Sequence, residues 1–373
     1  MKIIIAPDSF KNALRAPQVA AAIADGWNAV RPEDELIQLP MSDGGEGLCD
    51  ALTLAGNGRF LEIAAVDPLM RPENGRVGIV GDTAILESAE ANGIELLQND
   101  ELDPLHATTY GVGLMLRELI SLHRCRKIIV GIGGSATVDG GAGMLQALGC
   151  RFYDSAGNEL PPGIGGGDLG KIVRIDTSDL PEVLAETGIV VACDVNNILC
   201  GENGSAPVFG PQKGATAEMV KILDENLRHF AALWEDDGTC AGDGAAGGLG
   251  FALRKLGGRM ESGAKLVMNE SGFYEQLSGA DLVITGEGCS DDQTACGKLC
   301  SEIALAAKSC GVPTVLLSGA LKGDCAELEK LFAGCFSISR GVCTLDEALK
   351  CTGANLKKSA SALALYACGL QRR

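Results

Sequence analysis

The chain has 373 residues, of which 51 are glycines, and its 49 Asp and Glu against 31 Lys and Arg give a formal net charge of −18. Such an acidic chain repels polyanions at long range, which argues against a general nucleic-acid or anionic-membrane surface. Hydrophobic residues make up 46% and charged residues 21% of the chain, and this ordinary globular composition excludes wholesale disorder and a coiled coil.

The glycine content is about twice the usual share of roughly 7%, without a Gly-X-Y period, so the excess is expected in turns or in ligand-binding loops. The few apolar residues before Pro7 fall short of the roughly 7 to 15 of a signal peptide, and no apolar run reaches the roughly 18 of a membrane span. The 15 cysteines are scattered without metal-ligand spacing, which is typical of reduced thiols. These features together predict a cytoplasmic protein.

Short β-branched runs alternate with helical stretches along most of the chain, the pattern of an α/β fold with a largely parallel sheet. At the N-terminus, a strand at residues 3–6 precedes a helix that begins near Pro17 and a strand at 35–39. The C-terminal third repeats this scheme, with strands predicted at 282–284, 313–317 and 335–338, helices at about 298–309 and near 327, and a final Ala-rich helix.

The middle of the chain is less regular, with hairpin-like strands around 76–87 and an aperiodic loop after Asp194. A loop of that length inside a domain is usually functional. We therefore predict two α/β domains: a discontinuous, Rossmann-like domain of residues 1–66 and 280–373, with helices flanking a parallel sheet, and an inserted, more irregular domain of residues 67–279. A tandem division of the chain is the alternative.

The most prominent glycine segment is GIGGSATVDGGAG, residues 131–143, between an apolar run at 128–130 and a helical pattern at 144–148. A strand, a glycine loop and a helix in this order direct backbone N–H groups at a phosphate. The candidate phosphate ligands are Gly131, Gly133, Gly134 and Ser135. A tight strand-to-helix connection that merely needs glycine is the structural alternative.

The same segment also permits a dinucleotide site. Gly131, Gly133 and Ala136 satisfy GxGxxA, and Asp154 follows roughly 20 residues later, where a ribose-binding acid is expected. A single match of this kind is weak support for an NAD-dependent oxidoreductase.

A second segment, GEGCSDDQTACGK at 286–298, follows the strand that ends near residue 285. It is not a Walker A loop, because Asp292 stands where that motif has glycine. Gly286, Glu287 and Asp291 lie where open α/β sheets bind ligands, and Lys298 opens the next helix. The acids could hold Mg²⁺ or orient a nucleotide, or they could form a solvated helix start near the helix dipole.

Two segments near the N-terminus, APDSFK at 6–11 and PMSDGGEG at 40–47, follow the first two strands. If these strands are parallel neighbours, their tips meet at one edge of the sheet. The candidates there are Asp8, Ser9, Lys11, Asp43, Gly44 and Gly45. Asp43 and Glu46 also fit a helix capping box.

The long loop 192–216 contains Asp194, which lies at a strand tip, and Lys213. A carboxylate in that position suits a metal ligand or a base that acts on a hydroxyl. GDGAAGGLG at 242–250 adds a further glycine loop before a helix predicted from about residue 251. Only three histidines are present, and none is in a spaced pair, so a histidine-centred mechanism is not expected.

These segments, taken in order from residue 6 to residue 298, resemble the glycerate kinase family of the bacterial type I kind. TTYGVG at 108–113, ACDVNN at 192–197, VFGPQKGAT at 208–216 and VITGEG at 283–288 contribute to the likeness. The resemblance implies ATP- and Mg²⁺-dependent transfer of the γ-phosphoryl group to D-glycerate, with 2-phosphoglycerate the favoured product and the active site between two α/β domains. Cys289 departs from the family pattern, which has Arg there, and cysteine cannot supply a planar donor fork.

Together with the resemblance, the residues imply a division of roles. The nucleotide phosphates are assigned to Gly131, Gly133, Gly134, Ser135, Lys213, Gly286, Glu287 and Lys298, Mg²⁺ to a subset of Asp194, Glu287 and Asp291, and the substrate to Ser9, Lys11, Asp43, Gly44 and Gly45. Asp194 or Asp8 orients or deprotonates the hydroxyl, with Lys11 as the cation beside it. The expected partners are D-glycerate and ATP, without nucleic acid or membrane, in a monomer or homodimer.

Overall fold

The computed structural model describes residues 1–291, 294 and 298–371. Within them the chain divides into two compact units. The first comprises residues 1–43 and 50–56 together with the described residues from 264 onward, and the second comprises 44–49 and 57–263. In the described part of the chain, no helix is both long and apolar enough to cross a membrane.

The strands, in chain order, are β1 (Lys2–Ile5), β2 (Glu35–Gln38), β3 (Arg59–Val66), β4 (Pro72–Val80), β5 (Thr83–Glu87), β6 (Lys127–Gly131), β7 (Arg151–Tyr153), β8 (Arg174–Asp176), β9 (Gly188–Ala192), β10 (Arg259–Glu261), β11 (Leu282–Ser290), β12 (Thr314–Leu321) and β13 (Gly334–Ser337).

The α-helices are α1 (Ala16–Asn28), α2 (Leu48–Ala55), α3 (Ala89–Asn92), α4 (Tyr110–Ser121), α5 (Ala142–Leu148), α6 (Ser205–Phe209), α7 (Ala217–Leu233), α8 (Leu249–Lys255), α9 (Gly263–Glu270), α10 (Phe273–Leu277), α11 (Leu299–Ser309), α12 (Ala326–Leu331) and α13 (Leu345–Gln371). Short 3₁₀ turns include Gly166–Lys171, Pro211–Lys213 and Ala245–Gly248.

The first unit contains a five-stranded sheet in the order β13-β12-β11-β1-β2, and its neighbouring strands are parallel. Successive side chains of a strand face opposite sides. Leu317 accordingly packs in the core with Trp27 of α1 and Leu356 of α13, whereas Leu316 packs with Cys300 of α11 and Leu328 of α12. The predicted α/β class, with helices on a parallel sheet, is confirmed.

The second unit contains a six-stranded sheet in the order β10-β9-β6-β5-β4-β3. Strands β10, β9, β6 and β5 are parallel, and β5, β4 and β3 form an antiparallel meander. Edge-to-face packing of Phe230 against Phe152, Phe251 and Trp234 lies in the interior of this unit. The hairpin-like strands predicted around residues 76–87 correspond to β4 and β5.

The two units assign three segments differently from the predicted domain boundaries, and the first of these, residues 44–49, belongs to the second unit. Residues 57–66 belong to the second unit, because β3 pairs with β4 along its whole length. Residues 264–279, which form most of α9 and all of α10, belong to the first unit. The predicted boundaries at residues 66 and 279 followed changes in sequence regularity, which do not reveal which strand pairs with which.

The long loop predicted after Asp194 is more structured than expected, because it contains α6 and the 3₁₀ turn Pro211–Lys213. Single-turn helices are too short to produce a hydrophobic period of 3.6 residues. Gly214 ends the second turn with a φ of 91°, a left-handed conformation that favours glycine.

Candidate functional site

Polar side chains converge at the carboxyl edge of the first sheet. Asp8 follows β1, and its backbone N–H donates to the carbonyl of Gly286 in β11 at 2.8 Å. The Asp8 carboxylate accepts the Ser9 backbone N–H at 2.6 Å. The structure therefore brings the tips of β1 and β11 together, as parallel neighbours require.

The pKa of the Asp8 carboxyl is raised to about 7, mainly by burial and also by the nearby Asp43 and Glu287 carboxylates, while the Ser9 N–H and the Lys11 charge oppose the rise. These electrostatic effects show that four predicted site residues lie near one another. They are the three acids Asp8, Asp43 and Glu287 and the ammonium of Lys11. A carboxyl group whose pKa lies near neutrality is suited to accept a proton at physiological pH.

Glu287 lies beyond the predicted end of its strand, because β11 continues to Ser290 instead of ending near residue 285. Its carboxylate accepts the Ser290 hydroxyl at 2.8 Å. Burial raises the Glu287 pKa, Asp291 raises it further, and hydrogen bonds from Ser290 and Thr294 together with the Lys298 charge oppose the rise. Glu287, Asp291 and Lys298 thus form one electrostatic group.

Gly286 is a strand residue and not a loop residue. A Cβ at this position would overlap the carbonyl oxygen of Leu317 in β12, so the glycine permits close strand packing. Cys289 is exposed and pairs in register with Ala320. Of the segment 286–298, Asp292, Gln293, Ala295, Cys296 and Gly297 lie outside the described residues.

The described residues include no group of three or more His, Cys, Asp or Glu side chains arranged to hold a metal ion. Mg²⁺ is often bound by one or two carboxylates and completes its coordination with water and substrate phosphates. Glu287 and Asp291, whose charges interact, are hard oxygen donors of this kind and fit such a site.

In the second unit, two glycine segments lie side by side. A Cβ on Gly131 would stand 2.8 Å from the Gly44 carbonyl oxygen and 2.8 Å from Leu48 Cδ2, and one on Gly133 would stand 3.2 Å from Gly45 Cα. Gly131 and Gly133 therefore allow the 44–48 backbone to approach the tip of β6.

The Glu87 side chain holds the start of α2 in place. Its Oε1 accepts the backbone N–H of Gly47 at 3.1 Å and that of Cys49 at 2.8 Å. Because Glu87 ends β5, the strand next to β6, it fixes the 44–49 segment to the same sheet edge as Gly131. Glu87 was not among the predicted site residues, although it ends a strand, which is the feature that marks the other candidates.

The 131–143 segment runs into helix α5, which begins at Ala142, two residues before the predicted helical pattern. The backbone N–H groups of Gly141 and Gly143 at the start of this helix donate to Asp139, and that of Met144 donates to the Thr109 hydroxyl. Gly133 and Gly134 are exposed, and Ser135 is buried. Because Asp139 and Thr109 accept the N–H groups at the start of α5, the candidate phosphate donors of this loop are the backbone N–H groups of residues 131–135 and the Ser135 hydroxyl.

Lys213 lies in the interior of the second unit and is 1% exposed. Its ammonium donates to the Ser135 hydroxyl at 2.8 Å and to the Thr137 carbonyl at 2.7 Å. Burial lowers the Lys213 pKa to about 7, and the negative charge of Asp139 opposes that shift.

Asp139 is a fully buried acid in the 131–143 segment and was not among the predicted site residues. It accepts the backbone N–H of Thr109 at 2.8 Å, the Thr109 hydroxyl at 2.7 Å, and the N–H groups of Gly141 at 3.1 Å and Gly143 at 3.2 Å. Burial raises its pKa against these bonds. Asp139 thus joins the TTYGVG segment to the end of the 131–143 loop.

Asp194 is exposed and follows β9, whose Ala192 is in register with Gly131 of β6. Its Oδ1 accepts the Gly263 N–H at 3.0 Å. A Cβ on Gly44 would stand 2.7 Å from Gly263 Cα. At the carboxyl edge of the second sheet, Asp194 therefore lies near the 44–45 segment and the 131–134 loop.

The dinucleotide interpretation is not supported by the position of Asp154. Strand β7 pairs with β8 in a separate two-stranded antiparallel sheet, whereas a ribose-binding acid ends the strand beside the glycine loop. Asp154 instead closes a turn by accepting the N–H groups of Ala156 and Asn158.

Two further glycine segments are explained by packing. Cβ atoms on Gly165 and Gly166 would overlap the carbonyls of Leu105 and Val138, respectively, and one on Gly247 would overlap the carbonyl of Thr137. The glycine segments 163–170 and 242–250 thus allow backbones to approach one another in the second unit.

Comparison with known proteins agrees with this arrangement of motifs. The sequence matches the model of the Glycerate kinase family over residues 3–367. It is 42% identical to a protein named glycerate kinase from Bacillus subtilis, over 98% of this chain and 97% of the other. It is also 42% identical to a glycerate 2-kinase from Escherichia coli, over 94% and 93% of the two chains. A solved structure from Salmonella typhimurium LT2, described as a candidate glycerate kinase 2, superposes with a TM-score of 0.90 at 39% identity over 100% of both chains.

Proposed function

The chain belongs to the glycerate kinase family, and we propose that it transfers the γ-phosphoryl group of ATP to a hydroxyl of D-glycerate, with 2-phosphoglycerate as the product. The observation that carries this proposal is the group formed by Asp8, Lys11, Asp43 and Glu287 at the carboxyl edge of the first sheet. The name of the Escherichia coli relative, glycerate 2-kinase, favours the 2-hydroxyl.

Phosphoryl transfer depends mainly on positioning and on neutralisation of charge. We assign the glycerate carboxylate to the Lys11 ammonium, with Ser9 as a hydroxyl donor beside it. Asp43 is assigned to the substrate at the same carboxyl edge of the sheet. Asp8 accepts the proton of the attacking hydroxyl. Because its pKa is raised to about 7, Asp8 combines a substantial ionised fraction near neutrality with greater basicity than an ordinary aspartate.

The nucleotide phosphates are assigned to the backbone N–H groups of Gly133 and Gly134, which are exposed, and to Lys298. Glu287 and Asp291 would hold Mg²⁺, which when bound neutralises phosphate charge. Asp194 remains a second candidate for the base or for a metal ligand, because it is exposed at a strand tip. All of these residue roles are proposed. We also propose that the protein is cytoplasmic and that it is a monomer or a homodimer.

The direct test is incubation of the protein with ATP, Mg²⁺ and D-glycerate, followed by identification of the product by ³¹P NMR. We expect 2-phosphoglycerate, formed in step with ADP. Formation of 3-phosphoglycerate would move the attack to the other hydroxyl, and no transfer at all would contradict the kinase assignment. A thermal-shift comparison tests the oxidoreductase alternative, because stabilisation by NADH without stabilisation by ATP would favour it.

Lys11→Ala is expected to raise KM for glycerate by about 10-fold or more while KM for ATP changes by less than about 3-fold, because one charge-assisted contact is lost. Lys350→Ala is the matched control, since Lys350 pairs with Asp346 on the exposed side of α13. Initial-rate kinetics with each substrate varied in turn measures the difference. A rise confined to KM for ATP would assign Lys11 to the nucleotide.

A further inference from the structure

A buried lysine lies beside the predicted phosphate loop, and no carboxylate of the described residues is within ion-pair distance of it, although the charge of Asp139 acts on it. Among the described residues, Lys213 forms no ion pair, and its two partners are a hydroxyl and a carbonyl. Removing a charged ammonium from water is costly, and an apolar side chain of similar size would fill the same space without that cost. What the ammonium adds is two charge-assisted hydrogen bonds to the 135–137 segment.

The Lys213 ammonium holds one side of the loop, and the last residue of α3 together with Ile94, just after that helix, holds the other. The Ala136 N–H donates to the Asn92 carbonyl at 2.8 Å, and the Ile94 N–H donates to the Gly134 carbonyl at 2.8 Å. Residues 135–137 are buried, and only Gly133 and Gly134 within 131–137 are exposed. The direction in which these two glycines present their N–H groups is therefore set by anchored neighbours on both sides.

The backbone that carries Lys213 is itself constrained. Pro211 begins its 3₁₀ turn, and a Cβ on the following Gly214 would stand 2.5 Å from the Leu102 carbonyl oxygen. The turn closes through the Lys213 N–H, which donates to the Gly210 carbonyl at 2.9 Å. Bringing the ammonium to the surface would require breaking both of its hydrogen bonds and this packing.

From these contacts we propose that Lys213 is a positioning residue that holds the 131–135 loop in its phosphate-binding shape through Ser135 and Thr137, without contacting the nucleotide. The proposal rests on the proposed function, since it takes this loop as the phosphate site. This role differs from the one predicted for Lys213. The lysine supports the phosphate-binding loop from inside the protein and does not bind phosphate itself.

The first experiment compares Lys213→Met with Lys221→Met. Lys221 is exposed on α7 and serves as the matched control. Calorimetry is expected to show at least 10-fold weaker ATP binding for Lys213→Met and no change for Lys221→Met, and kinetics are expected to show KM for glycerate within about 2-fold of the wild-type value. Unchanged ATP affinity in Lys213→Met would overturn the proposal. A wild-type protein that binds no ATP would contradict the proposed function itself.

The second experiment distinguishes support from direct contact. The native protein is acetylated with acetic anhydride, with and without ATP and Mg²⁺, and the modified lysines are located by mass spectrometry. We expect Lys213 to remain unmodified in both conditions and Lys221 to be modified in both. Modification of Lys213 that ATP prevents would place its ammonium on the nucleotide and overturn the proposal.

The third experiment tests whether Lys213 acts through Ser135. Ser135→Ala removes the hydroxyl but leaves the lysine, so it also serves if Lys213→Met fails to fold. We expect Ser135→Ala to weaken ATP binding in the same direction and the double variant to lose less affinity than the sum of the two single losses. Additive losses would mean that the two side chains act independently, which contradicts a shared role.

Discussion

Asp8→Asn is expected to lower kcat by at least about 100-fold, the usual scale for a lost general base, and at the same time to stabilise the protein at pH 8. The loss of activity follows from the role assigned to the Asp8 carboxylate. The gain in stability follows from its surroundings, because burial and the neighbouring Asp43 and Glu287 disfavour the charged form. Asparagine is nearly isosteric and carries no charge.

The pH dependence of this effect has a definite sign. The Asp8 pKa is about 7 in the folded protein and 3.8 in its ordinary state, so the folded chain binds this proton more tightly. Between about pH 4 and 7 the folded state holds more protons than the unfolded state, and the free energy of unfolding falls as pH rises. Above pH 7 the cost of the buried charge is complete. Asp8→Asn removes it and should add on the order of 1 kcal/mol there.

Urea denaturation at pH 4.5 and pH 8, together with kcat at saturating substrates, measures both effects. Asp194→Asn is the comparator for turnover, because Asp194 at the tip of β9 is the other candidate for the base. If Asp194→Asn abolishes turnover and Asp8→Asn does not, the base is Asp194. If Asp8→Asn destabilises the protein at pH 8, the carboxylate is better stabilised by its neighbours than the raised pKa indicates.

Much of the first unit could be predicted from the sequence. β1 and the start of β12 are largely apolar runs that contain β-branched residues, because parallel strands are buried on both faces, and the structure places both strands within a few residues of the predicted ranges. The candidate residues after these strands could be found because the carboxyl ends of parallel strands meet at one edge. This reasoning requires only the order of strands and helices along the chain.

The second unit was harder to predict because its critical features depend on long-range packing. Lysines are usually exposed, so Lys213 in a Gly- and Pro-rich segment was expected to contact a ligand at the surface. Its burial depends on how the Pro211–Lys213 turn packs beside the 135–137 backbone, which no local pattern encodes. Asp139 was missed for the same reason, since its partner Thr109 is distant in sequence.

The glycine excess has two physical origins, which the sequence alone could not separate. Gly133 and Gly134 are exposed at the tip of β6 and are available to a ligand. Gly166 and Gly247 are buried or nearly so against carbonyl oxygens, where any Cβ would collide. Both kinds follow strands or precede helices, so their positions along the chain look alike.

Gly247→Ala is expected to destabilise the protein by about 3 kcal/mol or more and to raise KM for ATP. Gly247 has a φ of 74°, and an added Cβ would overlap the carbonyl oxygen of Thr137, the same atom that accepts a hydrogen bond from Lys213. Relief of this overlap requires Thr137 to move, which pulls the acceptor away from the ammonium. Gly247→Ala should therefore alter the conformation of the 131–135 loop, although the new methyl group does not contact that loop.

Gly257→Ala is the matched control for backbone strain. Gly257 has a φ of 88°, but a Cβ there meets no atom within 4 Å. Its replacement should cost only the left-handed conformation, about 1 to 2 kcal/mol, and leave KM for ATP unchanged. Urea denaturation and ATP kinetics on both variants isolate the steric contribution. Equal losses of stability in the two variants would show that the second unit can relax around Gly247, and that the Thr137 carbonyl is not held as tightly as the Lys213 contacts require.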